Sequence, residues 1–326
     1  LFQLWNGALA RYRQSQGVLQ TTKSSEQHSF SKKGLFSGRQ LSITGRGKDR
    51  VKRKKTAFVL LLAAALIFTF RLTGIYYPLR TYLLMYPLSR YHKNTGLFRD
   101  IPLGIPAGKL PGVGSFIPFM LYFNADESHF ARWMGYEGDL TLSIIYNFGG
   151  FCYGRSYADY FDPAAGLYSA FYGAYAVNNK DLFFTADGSI RLSQLALVPH
   201  YDQKYLVLPA IGLPSKEVIF QAESIELEEN VTYLNIPGWY KMDAEIYTNM
   251  PAHRYRTRQL GYLQYGSPKG LENVTEDYRA ERLCARAYCR FFEEYNATVV
   301  LYIMAKNKDI AEQIDREILS RSVFGP

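Results

Sequence analysis

The feature that most narrows what this chain can become is an apolar run over residues 57–79, broken only by Arg71. Residues 57–70 carry no charge, proline or glycine, and the whole stretch is 23 residues long. A bilayer core takes roughly 20 apolar residues of helix. Arg71 lies close enough to one end to extend its guanidinium toward headgroups, and Tyr76 and Tyr77 fall where interfacial aromatic rings gather. Seven basic residues stand directly in front of the run: Arg46, Lys48, Arg50, Lys52, Arg53, Lys54 and Lys55. The core helix of a soluble fold has no use for such a flank. A cleaved signal peptide needs small residues just after the run, where residues 69–72 read Thr-Phe-Arg-Leu. The reading that fits is an uncleaved transmembrane anchor over residues 57–79, with the basic flank cytoplasmic and the C-terminal part across the membrane.

Charge divides at the same place. Of the formal +9, residues 1–56 contribute 13 Lys/Arg against 2 Asp/Glu, while residues 57–326 hold 25 against 27. A nucleic-acid-binding domain carries its basic excess on the folded part; here it belongs to the tail, and no nucleic acid partner is expected. Lys48, Arg50, Lys52, Arg53, Lys54 and Lys55 instead suit anionic lipid headgroups, at about 1 kcal/mol per basic residue near the surface. Residues 1–56 are rich in Ser, Gln, Gly and Lys and read as a mostly disordered cytoplasmic tail. Residues 80–114 read as a juxtamembrane Pro/Gly connector, and residues 115–326 as one extracytoplasmic globular domain.

The expected class for that domain is α+β, with a largely antiparallel sheet. Residues 115–123 and 140–146 read as strands. Between them Asn124 stands as a helix N-cap with Glu127 as its partner, Phe130 and Met134 share one face, and Gly135 closes the helix. Residues 146–175 hold 11 Tyr or Phe in 30 positions. Within them Asp162-Pro163 reads as a helix start, followed by Gly166, Ala170 and Ala174 at four-residue spacing. Short β-like runs separated by turns and prolines fill residues 181–266, among them 190–197, 205–208, 218–220, 231–235 and 262–265. The C-terminus reads as helix, buried strand, helix. The first helix runs from Asn273 to about Tyr295, its apolar positions Leu283, Cys284, Ala287, Tyr288, Phe291 and Phe292 alternating in steps of 1 and 3. The strand covers residues 298–304, and the last helix, residues 309–323, aligns Ile310, Ile314 and Ile318.

Candidate sites are sparse. Cys152, in a glycine-rich GGFCYGRS context, would be a nucleophile given a base from His129, His200 or His253, but no catalytic-cysteine signature surrounds it. Asp126, Glu127, His129 and Asp139, or Asp159 with Asp162, match no metal-binding spacing, so neither a metal nor another cofactor is expected. Arg254, Arg256 and Arg258 would share one face of a strand and form an anion-binding strip, or else serve as a charged edge. Tyr157, Tyr168 and Tyr172 are candidates for a stacking platform, against the alternative that they pack the interior. With three cysteines there is no disulfide scaffold. Asn230, Asn273 and Asn296 head N-x-T sequons, weak support for a secretory-pathway protein. The functional expectation is a single-pass membrane protein whose outer domain binds an envelope or lumenal ligand, polymer or partner; the alternative is a membrane-anchored hydrolase or transferase.

Overall fold

The computed structural model describes residues 46–72, 83, 86–106, 120–147, 164–166, 168–207, 218–249 and 280–325. The chain divides into two units, Leu1–Ile75 and Tyr76–Pro326. In the first, helix α1 spans Arg46–Leu72. Its described side chains, residues 55–69, are exposed, and eight are large and apolar: Phe58, Val59, Leu60, Leu61, Leu62, Leu66, Ile67 and Phe68. Those residues rise about 22 Å at 1.5 Å each, short of a hydrocarbon core of about 30 Å. No helix among the described residues is long and apolar enough to cross a membrane. Of the mostly disordered tail expected over residues 1–56, residues 46–56 are the first turns of α1; residues 1–45 lie outside the described residues, as does the aromatic belt at Tyr76 and Tyr77.

The second unit is a mixed α/β fold built on an antiparallel sheet. Its strands are β1 (Leu103–Gly104), β2 (Met120–Asn124), β3 (Leu142–Asn147), β4 (Phe171–Val177), β5 (Phe220–Tyr233), β6 (Ile236–Thr248), β7 (Glu281–Phe292), β8 (Ala297–Ala305) and β9 (Val323–Phe324). Seven of them form one sheet in the order β2-β3-β4-β8-β7-β6-β5, and β1 pairs with β9. Its helices are α2 (Tyr86–Thr95), α3 (Glu127–Met134), α4 (Leu192–Asp202) and α5 (Lys308–Glu317). Both sheet faces are covered. Leu140, Leu142, Ile144, Tyr175 and Val300 bury one face together with Phe130 of α3 and Leu195 and Val198 of α4. Ile145, Ala174, Val299, Leu301 and Ile303 bury the other with Ala311 and Ile314 of α5. Strand β8 lies between β4 and β7 and is buried along its whole length, which is why residues 298–304 read as an uninterrupted apolar run.

Two expected helices and two expected strands change. The Asn273–Tyr295 helix is strand β7 over the described part, residues 281–292. Its four-residue spacing misleads because four is an even number: Leu283, Ala287 and Phe291 lie on one pleated face, Cys284, Tyr288 and Phe292 on the other, and both faces are covered. The C-terminal unit is therefore strand, strand, helix. Ala174 likewise lies on strand β4 rather than on a helix, and Ala170, just before the strand, is buried in the same core; Asp162-Pro163 is outside the described residues. Conversely, the strand expected over residues 190–197 is helix α4, which runs through Pro199 and widens into a π-turn over Gln203–Val207, in place of the β run expected at residues 205–208.

The helix N-cap is Asp126, not Asn124: Asp126 Oδ1 accepts from the His129 N–H at 3.0 Å and the Ser128 hydroxyl at 2.7 Å. Gly135 closes α3 at φ 66° as expected. At the last helix Asn307 caps α5, and a short 3-10 turn at Leu319–Arg321 leads into β9. The β5–β6 hairpin turns on Leu234 and Asn235, both at positive φ (52° and 62°), the pattern of a type I′ turn matched to strand twist.

The sheet edges are closed in two ways. On β5 the register is broken at three points, and Glu223, Glu226 and Glu228 pair with Arg282, Lys308 and Lys241; bulges and charges of this kind discourage edge pairing. On β2 the edge is covered by α2, part of the segment expected to be connector. The Tyr122 N–H donates to Ser89 Oγ at 2.9 Å, and the Asn124 N–H donates to His92 Nδ1 at 3.2 Å. The Asn124 amide in turn donates to the His92 carbonyl and its oxygen accepts from Ser143.

His92 must be neutral to accept, and burial lowers its pKa from 6.5 to about 4. A depressed folded pKa means the stabilisation is full above pH 6.5 and is lost as pH falls toward 4. Protonation at pH 4 costs about 3 kcal/mol from that shift. Denaturant midpoints measured at pH 7.5 and pH 4 should show this loss in the native chain and a smaller one in His92→Gln, whose amide oxygen still accepts. Equal losses in the two proteins would remove His92 from the account.

Candidate functional site

Strands β3, β4 and β8 set Tyr146, Gly173 and Tyr302 side by side in register. The missing side chain at Gly173 leaves space that the Tyr302 hydroxyl enters: a Cβ there would stand 3.1 Å from it and 1.9 Å from the Ile145 carbonyl oxygen. The Tyr146 and Tyr302 rings meet edge-on with centroids 6.3 Å apart, and Tyr175 lies 5.9 Å from Tyr302. Helix α4 brings Asp202 down onto these tyrosines at its last turn, where the helix changes to π geometry, a local widening that often accompanies functional positions. Pro199 has no N–H to give within the helix, and Asp202 and Gln203 follow it by one turn.

Asp202 and Gln203 are each about 1% exposed. Burial pushes the Asp202 carboxyl well above the usual carboxylate range, against the opposing effect of hydrogen bonds from Tyr146 and Gln203. The phenols of Tyr146, Tyr175 and Tyr302 are raised as well, first by burial and then by neighbouring groups that include Asp202. Asp202 Oδ1 and Gln203 Oε1 have no hydrogen-bond partner among the described residues. Both residues line a cavity of about 100 Å³ between α4 and strands β5 to β8. Its walls are otherwise mostly apolar, formed by Leu195, Phe220, Met242, Ile246, Ala285 and Met304, with the Tyr175 and Tyr302 rings beside the acid. Such an arrangement can take up a small apolar group. Buried acids with shifted pKa values in apolar clefts are candidates for binding and catalytic sites on physical grounds.

The sequence candidates lie elsewhere. His129 and His200 lie on the packed helices α3 and α4 with separate partners: His129 Nδ1 is 2.9 Å from the Tyr201 hydroxyl, and Trp133 packs edge-on to His200 at 5.0 Å. Burial, followed by Arg132, lowers the His129 pKa. Cys152 lies outside the described residues, as do His253, Tyr157 and the Arg254, Arg256, Arg258 strip, so no nucleophile is placed beside these histidines. Tyr168 and Tyr172 do not share a platform. Each is buried, Tyr168 donating to Glu281 at 2.6 Å and Tyr172 to the Pro106 carbonyl at 3.1 Å, in cores on opposite sides of the sheet.

Cys284 and Cys289 are free thiols among the described residues, an odd number of strand positions apart and therefore on opposite faces. No group of three or more His, Cys, Asp or Glu is gathered for a metal ion among the described residues. Sequon residues Asn230 and Asn296 are exposed, each at positive φ beside a hairpin turn; Asn273 is outside the described residues.

A second polar cluster occupies the opposite sheet face. Arg286 forms a bidentate pair with Asp243 (2.6 and 2.9 Å) and reaches Asp315 at 3.2 Å. Asp315 also accepts from the Tyr233 and Tyr288 hydroxyls at 2.8 and 2.7 Å. With the rings of Tyr233 and Tyr288 stacked at 3.6 Å, the cluster is closed on itself and fastens α5 to the sheet. Its role is structural.

Sequence reading missed Asp202, Gln203, Tyr146, Tyr175 and Tyr302. The signal for the first two was there: Leu192, Leu195, Val198 and Asp202 fall at helical steps of 3, 3 and 4, which places an acid on the apolar face of a helix. Comparison with family models, curated proteins and solved structures finds no match for the chain.

Proposed function

We propose that this chain is a single-pass membrane protein whose folded unit, Tyr76–Pro326, binds a small apolar ligand in the cavity above Asp202. The observation that carries the membrane half is the surface of α1. Phe58, Val59, Leu60 and Leu61 stand at successive steps of about 100° around the helix, and each is 61–70% exposed. A helix apolar all round is at home in a core or a bilayer, not in water. Continuing to Leu79 supplies the length of a full crossing. The basic residues before Thr56 then stay with the anionic cytoplasmic leaflet, and the folded unit lies on the other side. The sequons at Asn230 and Asn296, exposed beside hairpin turns, suit that compartment. The cavity supports the ligand-binding half, because an apolar pocket with a few convergent polar groups is the ordinary form of a small-molecule site.

Topology is tested on the full chain carrying an epitope tag after Pro326, expressed in cells. The tag should stay with the membrane pellet through alkaline carbonate extraction, and external protease should remove it from intact cells or right-side-out vesicles. Extraction into the carbonate supernatant would refute the anchor. A membrane-retained tag that is protected until lysis would refute the orientation and leave the anchor standing.

A further inference from the structure

Two of the N-x-T sequons fall among the described residues, and the fold treats them differently. The first, Asn230-Val-Thr232, lies on the edge strand β5. Side chains of a strand alternate between its faces. Val231 and Tyr233 pack into the core beside α5, while Asn230 and Thr232 stand out in solvent. Asn230 also sits where the β5–β6 register slips between Glu228 and Val231, at φ 55°, so its backbone bulges out of the ladder. In the second, Asn296-Ala-Thr298, the asparagine is exposed at a turn and the threonine is not. Thr298 is 1% exposed on β8, opposite Val177 of β4 and Phe291 of β7, and its hydroxyl donates to the Asn179 carbonyl at 2.8 Å.

An N-glycosyltransferase has to engage both ends of a sequon, the asparagine amide and the hydroxyl two residues on. Reaching Thr298 in the folded unit means opening a strand that is buried along its whole length, and such core strands open only at a cost close to that of global unfolding. Reaching Thr232 needs no opening. We propose that Asn230 is N-glycosylated, and that Asn296, within reach only before β8 docks, is modified to a smaller extent. In the transfer the Asn230 amide nitrogen attacks the anomeric carbon of a polyprenyl-diphosphate-linked oligosaccharide. The C–N bond forms as the C–O bond to the diphosphate breaks, the polyprenyl diphosphate leaves, and the amide gives up one proton. The sugar then stands on the edge strand on which Ile225 and Leu227 are exposed, and its bulk opposes pairing of that edge with another chain. This inference rests on the topology proposed above, which puts the folded unit in the compartment where such transfer occurs.

The test uses the full chain, tagged after Pro326 and expressed in cultured eukaryotic cells, with an added acceptor that reports the compartment. Asp187→Asn turns the exposed Asp187-Gly-Ser189 turn into a sequon on the same folded unit. Peptide N-glycosidase in heavy-oxygen water converts each occupied asparagine into a labelled aspartate, so occupancy is read site by site. The expected result is strong labelling at Asn230, several-fold less at Asn296, and labelling at the Asp187→Asn site. Asn230→Gln and Thr232→Ala should each abolish the label on the β5 peptide and the matching gel shift, and Thr232→Ser should keep most of it. Thr232→Ala leaves the asparagine and its left-handed backbone in place should Asn230→Gln not fold.

Label at the Asp187→Asn site with none at Asn230 would overturn the inference and leave the topology standing. Equal labelling at Asn230 and Asn296 would also overturn it, because burial of Thr298 would then make no difference. No label at any of the three would overturn both the inference and the proposed orientation.

Discussion

Arg286→Met should destabilise the folded unit by about 3–5 kcal/mol, the usual cost of removing one partner from a buried charge cluster. For a unit of this size that is a fall of about 10 °C in Tm. Arg286 is 8% exposed and stands between two carboxylates, Asp243 and Asp315, on β6 and α5. Hydrogen bonding to Asp243 raises the guanidinium pKa further, so no accessible pH discharges it. Without the guanidinium, Asp315 keeps its two tyrosine donors but loses its counter-charge, and Asp243 is left with Lys241 at 3.9 Å, in a site with little access to water. One further result separates this account from simple loss of packing: Asp243→Asn combined with Asp315→Asn in the Arg286→Met background should recover a good part of the deficit. A deficit below about 1 kcal/mol, or one that the paired Asn substitutions leave unchanged, would show that methionine packing replaces the ion cluster, an outcome known for buried charge clusters exchanged whole for apolar residues.

The parts of the fold legible in the sequence are those where one periodicity excludes the other. Ala297–Ala305 is apolar at nearly every position, which at that length a strand covered on both faces explains. Helix α5 has a capping Asn307 and buries Ala311 together with Ile314, three positions apart, which a strand would set on opposite faces. Gly135 ends α3 because the chain needs φ 66° there. Strands β4 and β7 were illegible because their small and large residues repeat at four, a spacing shared by a helix face and by alternate strand positions. Arg286 and Arg290 completed the deception on β7. They look like the polar side of an amphipathic helix, yet Arg286 is buried in the charge cluster and Arg290 donates to the Pro237 carbonyl.

The candidate site was hidden for a different reason. It is not a motif. Tyr146, Tyr175, Asp202 and Tyr302 are spread over more than 150 positions, and strand order alone brings them together: β4 enters the sheet between β3 and β8. No spacing rule reaches across a crossover of that length. The apolar run at residues 57–79 is the opposite case. As the proposed anchor it is local, compositional and visible at once, because a bilayer imposes its thickness on consecutive residues.

Gly173→Ala should cost at least about 3 kcal/mol and weaken binding at the cavity, although alanine adds one methyl group. Overpacking a well-filled core costs about 1–3 kcal/mol when side chains can give way. Here the atom in the way is main chain, the Ile145 carbonyl oxygen at 1.9 Å from the new Cβ, and the Tyr302 hydroxyl stands at 3.1 Å. Relief requires strands β3 and β4 to separate at the one place where Tyr146 and Tyr302 meet over Gly173, so stability and site geometry fall together. Gly188→Ala is the informative comparison. Gly188 has φ 88°, and a methyl group added there would meet nothing within 4 Å; its replacement strains one exposed turn, at about 1 kcal/mol, and leaves the cavity untouched. Urea midpoints of the two variants should therefore rank Gly173→Ala far below Gly188→Ala. If the two are equally mild, the β3–β4 backbone yields more than close packing allows, and Gly173 does not set the position of the Tyr302 hydroxyl.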